Sequence, residues 1–220
     1  MRLEKASHKA IKYACMNFHY AKAVPANSFG YSVFNNENEF CGVVLFGHGA
    51  NQNIGSEFNL NRGQIVELTR VALNGKHGYT SKAVSISIRL LKKDNPTVKL
   101  IVSYADKGQN HLGKIYQASN WFYIEDIKSS GMEVSINGKW VHRRSYYSLK
   151  NKPLIQEKRQ KPGKHKYIYP LESGLIDVCK KMSKPYPKNA AVAHKGEHQD
   201  TNQEGAFDST SPLNLTEEKQ

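Results

Sequence analysis

The spacing of apolar residues predicts both helices and strands in the first third of the chain. Residues 6–17 place apolar side chains at helical spacing, and Ser7 is suited to cap that helix. Two apolar segments, 31–34 and 40–46, flank a polar turn and predict an antiparallel hairpin. Residues 64–73 then predict a further strand, with Ile65, Leu68 and Val71 as its apolar positions.

Residues 80–93 are compatible with two structures. In the middle of this segment apolar and polar residues alternate, as in a strand. A helix over 81–93, capped by Thr80 or Ser81, gathers the apolar side chains on one face, and the length of the segment favours it. The other predicted elements are a buried strand at 98–102, a short helix at 113–120, a strand at 121–124, a hairpin of 132–136 with 139–142, a strand at 166–169 and a helix at 173–182.

This order of elements predicts an α/β fold with a mixed central sheet and helices on both faces. The folded domain is expected to span residues 1–185, and the apolar-poor residues 186–220 to form a disordered acidic and polar tail. No apolar run approaches the length of a membrane span, and no secretory signal opens the chain. The three cysteines are far apart and unpaired in pattern, which favours reduced thiols and a cytoplasmic location.

The charge is large and unevenly distributed. The whole chain carries a formal +13, whereas residues 186–220 hold three basic and six acidic groups. The predicted domain over residues 1–185 therefore carries +16, which attracts polyanions through phosphate contacts. Nucleic acid is the expected partner, although ribosome-associated and membrane-surface proteins share this composition.

Polar residues follow the buried strand 98–102 directly. Asp106, His111, Tyr116 and Ser119 all come within twenty residues of its end, where ligands bind in α/β sheets. Such groups can hold a metal or move a proton. The structural alternative is that Asp106 caps the next turn, His111 lies in a surface loop and Tyr116 fills the core.

An arginine and a Gly-rich loop add candidates upstream. Arg70 lies within the strand 64–73 and is expected to share a face with Val66 and Leu68, so it needs an anionic partner, either Asp106 or a ligand. The following loop enters the predicted helix and can approach a phosphate-bearing cofactor at the helix N-terminus, although it lacks a Walker pattern. Its candidate cofactor-binding residues are Gly75, Gly78, Thr80 and Ser81.

Two later segments combine cations with aromatic rings. Arginine and lysine bind phosphates, while tyrosine and tryptophan stack on unstacked bases, so these segments are candidates for DNA contact. The structural alternative is a solvated basic surface with its rings turned inward. The candidate DNA-binding residues are Trp140, Arg143, Arg144, Tyr146, Lys158 and Arg159.

The residues from Leu100 to Trp121, which contain Ser-Tyr-Ala-Asp and His-Leu-Gly-Lys-Ile-Tyr-Gln-Ala-Ser-Asn-Trp, resemble the signature of the Mom-type DNA modification proteins of bacteriophages. Supporting matches are His19-Tyr20, 67–70, 138–145 and 164–171. The resemblance covers most of residues 7–172.

The resemblance implies a GNAT-like acyltransferase fold and an enzyme that acts on double-stranded DNA. Its reaction would transfer an acetamido or methylcarbamoyl-type group to the N6 amine of adenine, which blocks host restriction. The resemblance also implies iron and an acyl-CoA-type donor such as acetyl-CoA, and it leaves a homodimer open. The implied catalytic residues are Arg70, Asp106, Tyr116 and Ser119. The implied metal ligands are His19, Tyr20, Asp106 and His111.

The loop at residues 75–80 departs from the GNAT pattern. Those enzymes bind the CoA pyrophosphate with an Arg/Gln-x-x-Gly-x-Gly/Ala loop, whereas residues 75–80 keep only two glycines. Two other functions therefore stay open. One is a DNA-binding accessory protein without catalysis, and the other is a GNAT N-acetyltransferase of protein or small-molecule amines.

Overall fold

A computed structural model describes residues 1–49, 55–128 and 131–188. The strands of its large sheet are β1 Arg2–Lys5, β2 Phe29–Phe34, β3 Phe40–Gly47, β4 Ile65–Leu73, β5 Leu100–Asp106, β6 Phe122–Ile127 and β10 Lys164–Pro170. A smaller sheet contains β7 Met132–Ile136, β8 Lys139–His142 and β9 Glu157–Gln160. The helices are α1 His8–Phe18, α2 Thr80–Asp94, α3 Lys114–Gln117, α4 Arg143–Tyr147 and α5 Ile176–Met182.

The large sheet has seven strands in the order β1-β2-β3-β4-β5-β10-β6. Only β4 and β5 run parallel among its described neighbours, and the other pairs are antiparallel. The predicted mixed sheet is therefore confirmed, as is the hairpin of β2 and β3.

Helices cover both faces of this sheet, as predicted. On the first face α2 and α3 bury Val84, Ile88 and Leu91 against side chains such as Phe46 and Ile101. On the second face α1 packs Ile11 and Cys15 over Val43, Leu45 and Ala72, and α5 packs Cys179 over Leu100 and Val102. Alternate residues of each strand therefore enter different cores.

The two helix caps of the sequence analysis have different outcomes. Ser7 caps α1, because its hydroxyl accepts the Ala10 amide at 3.2 Å. The prediction that Thr80 or Ser81 caps α2 is wrong, because Tyr79 occupies the cap position without a side-chain hydrogen bond. The Thr80 hydroxyl instead lies 2.8 Å from His77 Nε2.

Residues 131–161, called the β-arm here, form the smaller sheet and α4. Its strands have the order β8-β7-β9, and Asn137-Gly138 makes the predicted hairpin turn with both residues at positive φ. Sequence analysis missed β9, α4 and also β1. The strands β1 and β9 hold at most one apolar residue each, so the pattern offers no periodic signal there.

Most of the predicted tail lies outside the described residues, which end at 188. In the part that is described, no helix is both long and apolar enough to cross a membrane.

Candidate active site

The two parallel strands at the centre of the sheet separate before they end. Pairing of β4 with β5 runs from Ile65–Leu100 to Leu68–Ser103 and stops there, although both strands continue. The separation leaves a gap at the carboxyl end of β5, where side chains from four segments converge. Ligands bind at such ends in α/β sheets, so this gap is the candidate active site.

A β-bulge in β4 decides where Arg70 points. Leu45 pairs with Arg70 while Phe46 pairs with Leu68, so Thr69 is the extra residue. After the bulge the alternation shifts, and Arg70 lies on the face of Ala72 and α1. The expectation that Arg70 shares a face with Val66 and Leu68 is therefore wrong. A strand bulge re-aims a side chain, and this one turns the guanidinium toward the gap.

The expected ion pair of Arg70 with Asp106 is absent from the described residues. The Arg70 Nη1 group donates to the Ala23 carbonyl oxygen, whereas its buried Nε finds no described partner. A buried donor without a partner is costly and marks a position where a ligand can accept a hydrogen bond.

The residues His19, Tyr20, Asp106 and His111 come together from distant parts of the chain. The Tyr20 hydroxyl donates to Asp106 Oδ2 at 3.4 Å, and its ring stacks on His19 with centroids 4.3 Å apart. The His111 ring meets Tyr20 edge-on at 5.9 Å. Asp106 also accepts the Gly108 amide at 2.8 Å, so it caps the next turn, as the structural alternative proposed.

Electrostatics keep His19 neutral. Burial, and then the charges of Arg70, His111 and Lys22, lower the pKa of His19 to about 4. Its Nδ1 accepts the Ala21 amide at 3.1 Å, which places the hydrogen of the neutral ring on Nε2. His19 is thus a neutral N–H donor.

The other two predicted catalytic residues, Tyr116 and Ser119, are both buried but have different hydrogen-bond partners. Tyr116 is buried, and the Ser103 hydroxyl lies within hydrogen-bond distance of both the Tyr116 hydroxyl, 2.8 Å, and the Leu68 carbonyl oxygen, 2.9 Å. Burial raises the pKa of Tyr116 to about 12. Ser119 is buried and donates to Ile115 O within its own turn, so its hydroxyl is used for local structure.

Sequence reasoning missed Glu67 as a site residue. Glu67 precedes the bulge on the second face, and a side chain on Gly49 would collide with its carboxylate. Burial raises the pKa of Glu67, while Lys164 opposes the shift. A carboxylate inside a run of buried apolar strand residues was the available signal. Its neighbour Tyr104 has a pKa raised to about 12, by burial and then by Glu67.

The structure gives no support for iron at His19, Tyr20, Asp106 and His111. Nδ1 of His19 is taken by a backbone amide, and the hydroxyl of Tyr20 donates to Asp106. Across residues 1–49, 55–128 and 131–188, no group of three His, Cys, Asp or Glu side chains is placed to hold a metal. We therefore derive no catalytic step through a metal.

The predicted cofactor loop enters α2 as expected. Gly75 and Gly78 adopt φ of 85° and 76°, a region that favours glycine. No described side chain caps α2, so the amides of its first turn, at Thr80 and Ser81, face outward. That end of the helix suits an anionic group.

The predicted DNA-binding residues all lie in the β-arm, but three of them, Trp140, Tyr146 and Arg159, have structural partners. Tyr146 is buried and donates to Pro153 O at 3.0 Å, so its ring is not available to stack on a base. Arg159 donates twice to Glu133, at 2.9 and 3.0 Å, and covers the Trp140 ring at 4.1 Å. Arg143, Arg144 and Lys158 are exposed.

The sequence model of the Mom protein family matches residues 1–188. The chain belongs to the Mom protein family. The methylcarbamoylase mom of Escherichia phage Mu is 27% identical to this Mom family member over 155 residues. That match covers 68% of this chain and 63% of the phage Mu protein, so the chain spans less than two thirds of the relative's length.

Solved acetyltransferases are similar in fold to this Mom family member. An acetyltransferase of Bacillus subtilis in complex with CoA has a TM-score of 0.48 and 13% identity, covering 78% of this chain and 99% of that one. A point mutant of the spermidine N-acetyltransferase SpeG of Vibrio cholerae has a TM-score of 0.48 and 8% identity, covering 81% and 99%. At these TM-scores the similarity supports no inference about the site.

Proposed function

We propose that this Mom family member is a transferase that places an acetamido or methylcarbamoyl-type group on the N6 amine of adenine in double-stranded DNA. Its family membership and the methylcarbamoylase activity of the phage Mu relative support the reaction class. The formal charge of +13 supports a polyanionic substrate. The protection of such DNA from restriction would follow from the modified base.

The observation that supports the proposal most is the gap between β4 and β5. Beside it, on the second face of the sheet, lie a carboxylate with a raised pKa, Glu67, and a guanidinium with an unpartnered buried donor, Arg70. His19 is close enough to Arg70 for the guanidinium charge to lower its pKa, which keeps the ring neutral. A transfer to an amine requires a proton acceptor for the amine and donors for the carbonyl oxygen of the group in transit. These three side chains supply both.

Glu67 is the proposed proton acceptor. An exocyclic base amine is a poor nucleophile, because its lone pair is delocalised into the ring, so it must lose a proton as it attacks. A carboxylate whose pKa is raised by burial accepts that proton more readily than an exposed one.

Arg70 and His19 are the proposed donors to the carbonyl oxygen. Both present N–H groups, His19 as a neutral ring, and both are partly shielded from water. Donors fixed in place before the reaction stabilise the developing negative charge. Asp106 holds the Tyr20 ring over His19 through the Tyr20 hydroxyl.

The proposed group donor is an acyl-CoA-type molecule whose phosphates lie against the first turn of α2. The uncapped amides of Thr80 and Ser81 would bind them, and Gly75 and Gly78 give the loop its left-handed turns. Iron stays an expectation of the family resemblance, and the steps above use none. A homodimer and a cytoplasmic location likewise stay predictions.

Mass spectrometry of nucleosides tests the proposal. DNA from cells that express the full chain should contain a substituted deoxyadenosine. The test variant is Asp106→Asn. Asparagine keeps the cap on the Gly108 amide and removes the charge that binds Tyr20. This variant should fold normally and lose most of the modification. Unmodified deoxyadenosine from soluble wild-type protein would contradict the proposal and favour an accessory DNA-binding role.

Acetylation of protein or small-molecule amines is the second candidate, and an assay with purified protein separates it from DNA modification. If purified protein acetylates lysine peptides or polyamines with acetyl-CoA, while DNA stays unmodified, the chain is a plain N-acetyltransferase. The excess of basic residues argues against cationic polyamine substrates, which the domain would repel.

A further inference from the structure

One leucine of the β-arm, Leu154, is highly exposed to solvent. Leu154 is 86% exposed, more than any other large apolar side chain among the described residues. A single exposed leucine is ordinary on a protein surface. This one differs from an ordinary surface residue in how firmly its neighbours are fixed and in the charge that surrounds it.

The chain on both sides of Leu154 is anchored. Before it, the Pro153 carbonyl oxygen accepts the hydroxyl of the buried Tyr146 at 3.0 Å. After it, the Gln156 amide donates to Ser135 O at 2.9 Å, and the Gln156 side-chain oxygen accepts the Gly138 amide at 3.0 Å. These bonds hold the segment in one conformation, so Leu154 projects from a fixed base.

The charge of the β-arm around Leu154 favours a polyanionic partner. The β-arm contains eight basic and two acidic residues, a net +6 over 31 residues. One of the two acids, Glu133, is already bound by Arg159. Lys152 and Lys158 flank the leucine along the chain and line the same open groove of about 610 Å³. Glu157 lines the groove as well, so its two lysines leave it a net charge of +1. An apolar tip beside these cations, on an arm of net +6, fits a duplex, which presents phosphates outside and an apolar base stack inside.

The β-arm is also attached beside the candidate active site. Its last strand leads into Pro162, which lies against Gly108, and the Lys107 amide donates to Gly163 O at 3.2 Å. Lys107 and Gly108 directly follow Asp106 in the turn that Asp106 caps. The junction of the β-arm with the large sheet therefore lies beside the gap between β4 and β5.

We propose that Leu154 enters the base stack of duplex DNA as a wedge and occupies the space that the adenine leaves. This inference rests on the proposed function, in which the amine is reached only after the base has left the stack. Apolar wedges such as leucine unstack base steps in several minor-groove proteins. The lysines would bind the flanking phosphates and set the depth of insertion.

A comparison of duplex and single-stranded substrates tests the wedge. Purified wild type and Leu154→Ala are given the same oligonucleotide in both forms, and substituted deoxyadenosine is measured by mass spectrometry. The variant should modify the duplex at least about tenfold more slowly and the single strand at the wild-type rate, because no stack opposes the latter. Leu154→Met should restore the duplex rate. Ile176→Ala, which shortens an exposed apolar side chain on α5, is the control and should change neither rate.

Permanganate reactivity of thymines provides a second readout that needs no catalysis. Wild type bound to duplex should make thymines opposite displaced adenines reactive, and Leu154→Ala should not, at equal occupancy. Equal rates and equal reactivity for both proteins would overturn the wedge while leaving the proposed function intact. Reactive thymines without any modified nucleoside would overturn the proposed function while leaving the wedge. Loss of both duplex and single-strand modification in Leu154→Ala would also overturn the wedge. If the wild type self-associates and Leu154→Ala does not, the leucine contacts a second copy of the chain and the wedge is wrong.

Discussion

The two faces of the seven-stranded sheet are filled in different ways, although the same strands supply both. On the first face, β5 contributes Ile101 and Ala105 to a core closed by α2 and α3, which also contains Trp121 and Tyr167. On the second face, α1 and α5 each cover only part of the sheet, and Glu67, Tyr104 and Asp106 lie between them. One face is packed throughout, and the other keeps room for polar groups.

Because of this difference, alternate residues of one strand should affect different properties of the protein, either its stability or its catalytic rate. Residues that point to the first face have apolar neighbours on every side, so their substitution should change the free energy of unfolding. The polar residues Glu67 and Arg70 on the second face have a shifted pKa or an unsatisfied donor beside the gap, so their substitution should change turnover instead. Substitutions on each face test that separation.

The largest expected effect is on the second face. Glu67→Gln keeps the size of the side chain and removes its basicity, so the rate of base modification should fall by about 10²- to 10⁴-fold. The acid limb of the rate profile, which should lie above the usual range of a glutamate because burial raises the pKa of Glu67, should vanish. Initial rates from pH 4 to 8 measure both. Glu125→Gln, a carboxylate that pairs with Lys166, is the control and should keep the limb. A normal profile in Glu67→Gln would exclude this residue as the base.

The next effect belongs to the first face. Trp121 is fully buried and packs against Tyr116 and Tyr169, so Trp121→Ala should lower the free energy of unfolding by about 3–5 kcal/mol. Trp121→Phe should lose only part of this, because the indole Nε1 has no described hydrogen-bond partner to forfeit. Urea denaturation measures both. If folded Trp121→Ala at low temperature lost turnover while keeping its stability, the separation between the faces would be wrong.

The sequence predicted the elements of the first face well, because apolar periodicity is a property of packed surfaces. It failed where one residue alters the register. The bulge at Thr69 turns Arg70 to the opposite face, and no local pattern signals it. It also missed β9, whose four residues are all polar and exposed. Glu67 carries a local signal, a carboxylate among apolar strand residues, but its surroundings near Gly49 and Lys164 depend on the fold.

A smaller effect concerns the β-arm, which belongs to neither face. Arg143 and Arg144 are exposed, so Arg143→Ala with Arg144→Ala should remove about two phosphate contacts and reduce the salt slope of duplex binding by about two. The fall in affinity between roughly 50 and 200 mM salt should then be about tenfold smaller than in wild type. Fluorescence anisotropy at several salt concentrations measures the slope. Arg89→Ala, an exposed arginine of α2, is the control, and an unchanged slope in the double variant would place DNA elsewhere.

The smallest effect is on acid stability and tests whether the second face keeps His19 neutral. Burial and neighbouring cations lower its pKa to about 4 in the folded chain, against about 6.5 when unfolded. Between these values the unfolded chain binds a proton that the folded chain does not, so stability falls as pH drops from 6.5 towards 4. His19→Asn, whose side-chain oxygen can still accept the Ala21 amide, removes this proton and should make that fall shallower.

Urea midpoints at intervals of half a pH unit measure the difference between the two proteins. His8→Asn, which removes an exposed histidine from the first residue of α1, the helix that ends just before His19, is the control. Solvent screening keeps the difference small, but its sign is fixed. A steeper fall in His19→Asn would mean that the folded chain stabilises the charged ring, and the neutral N–H donor assigned to His19 would then be wrong.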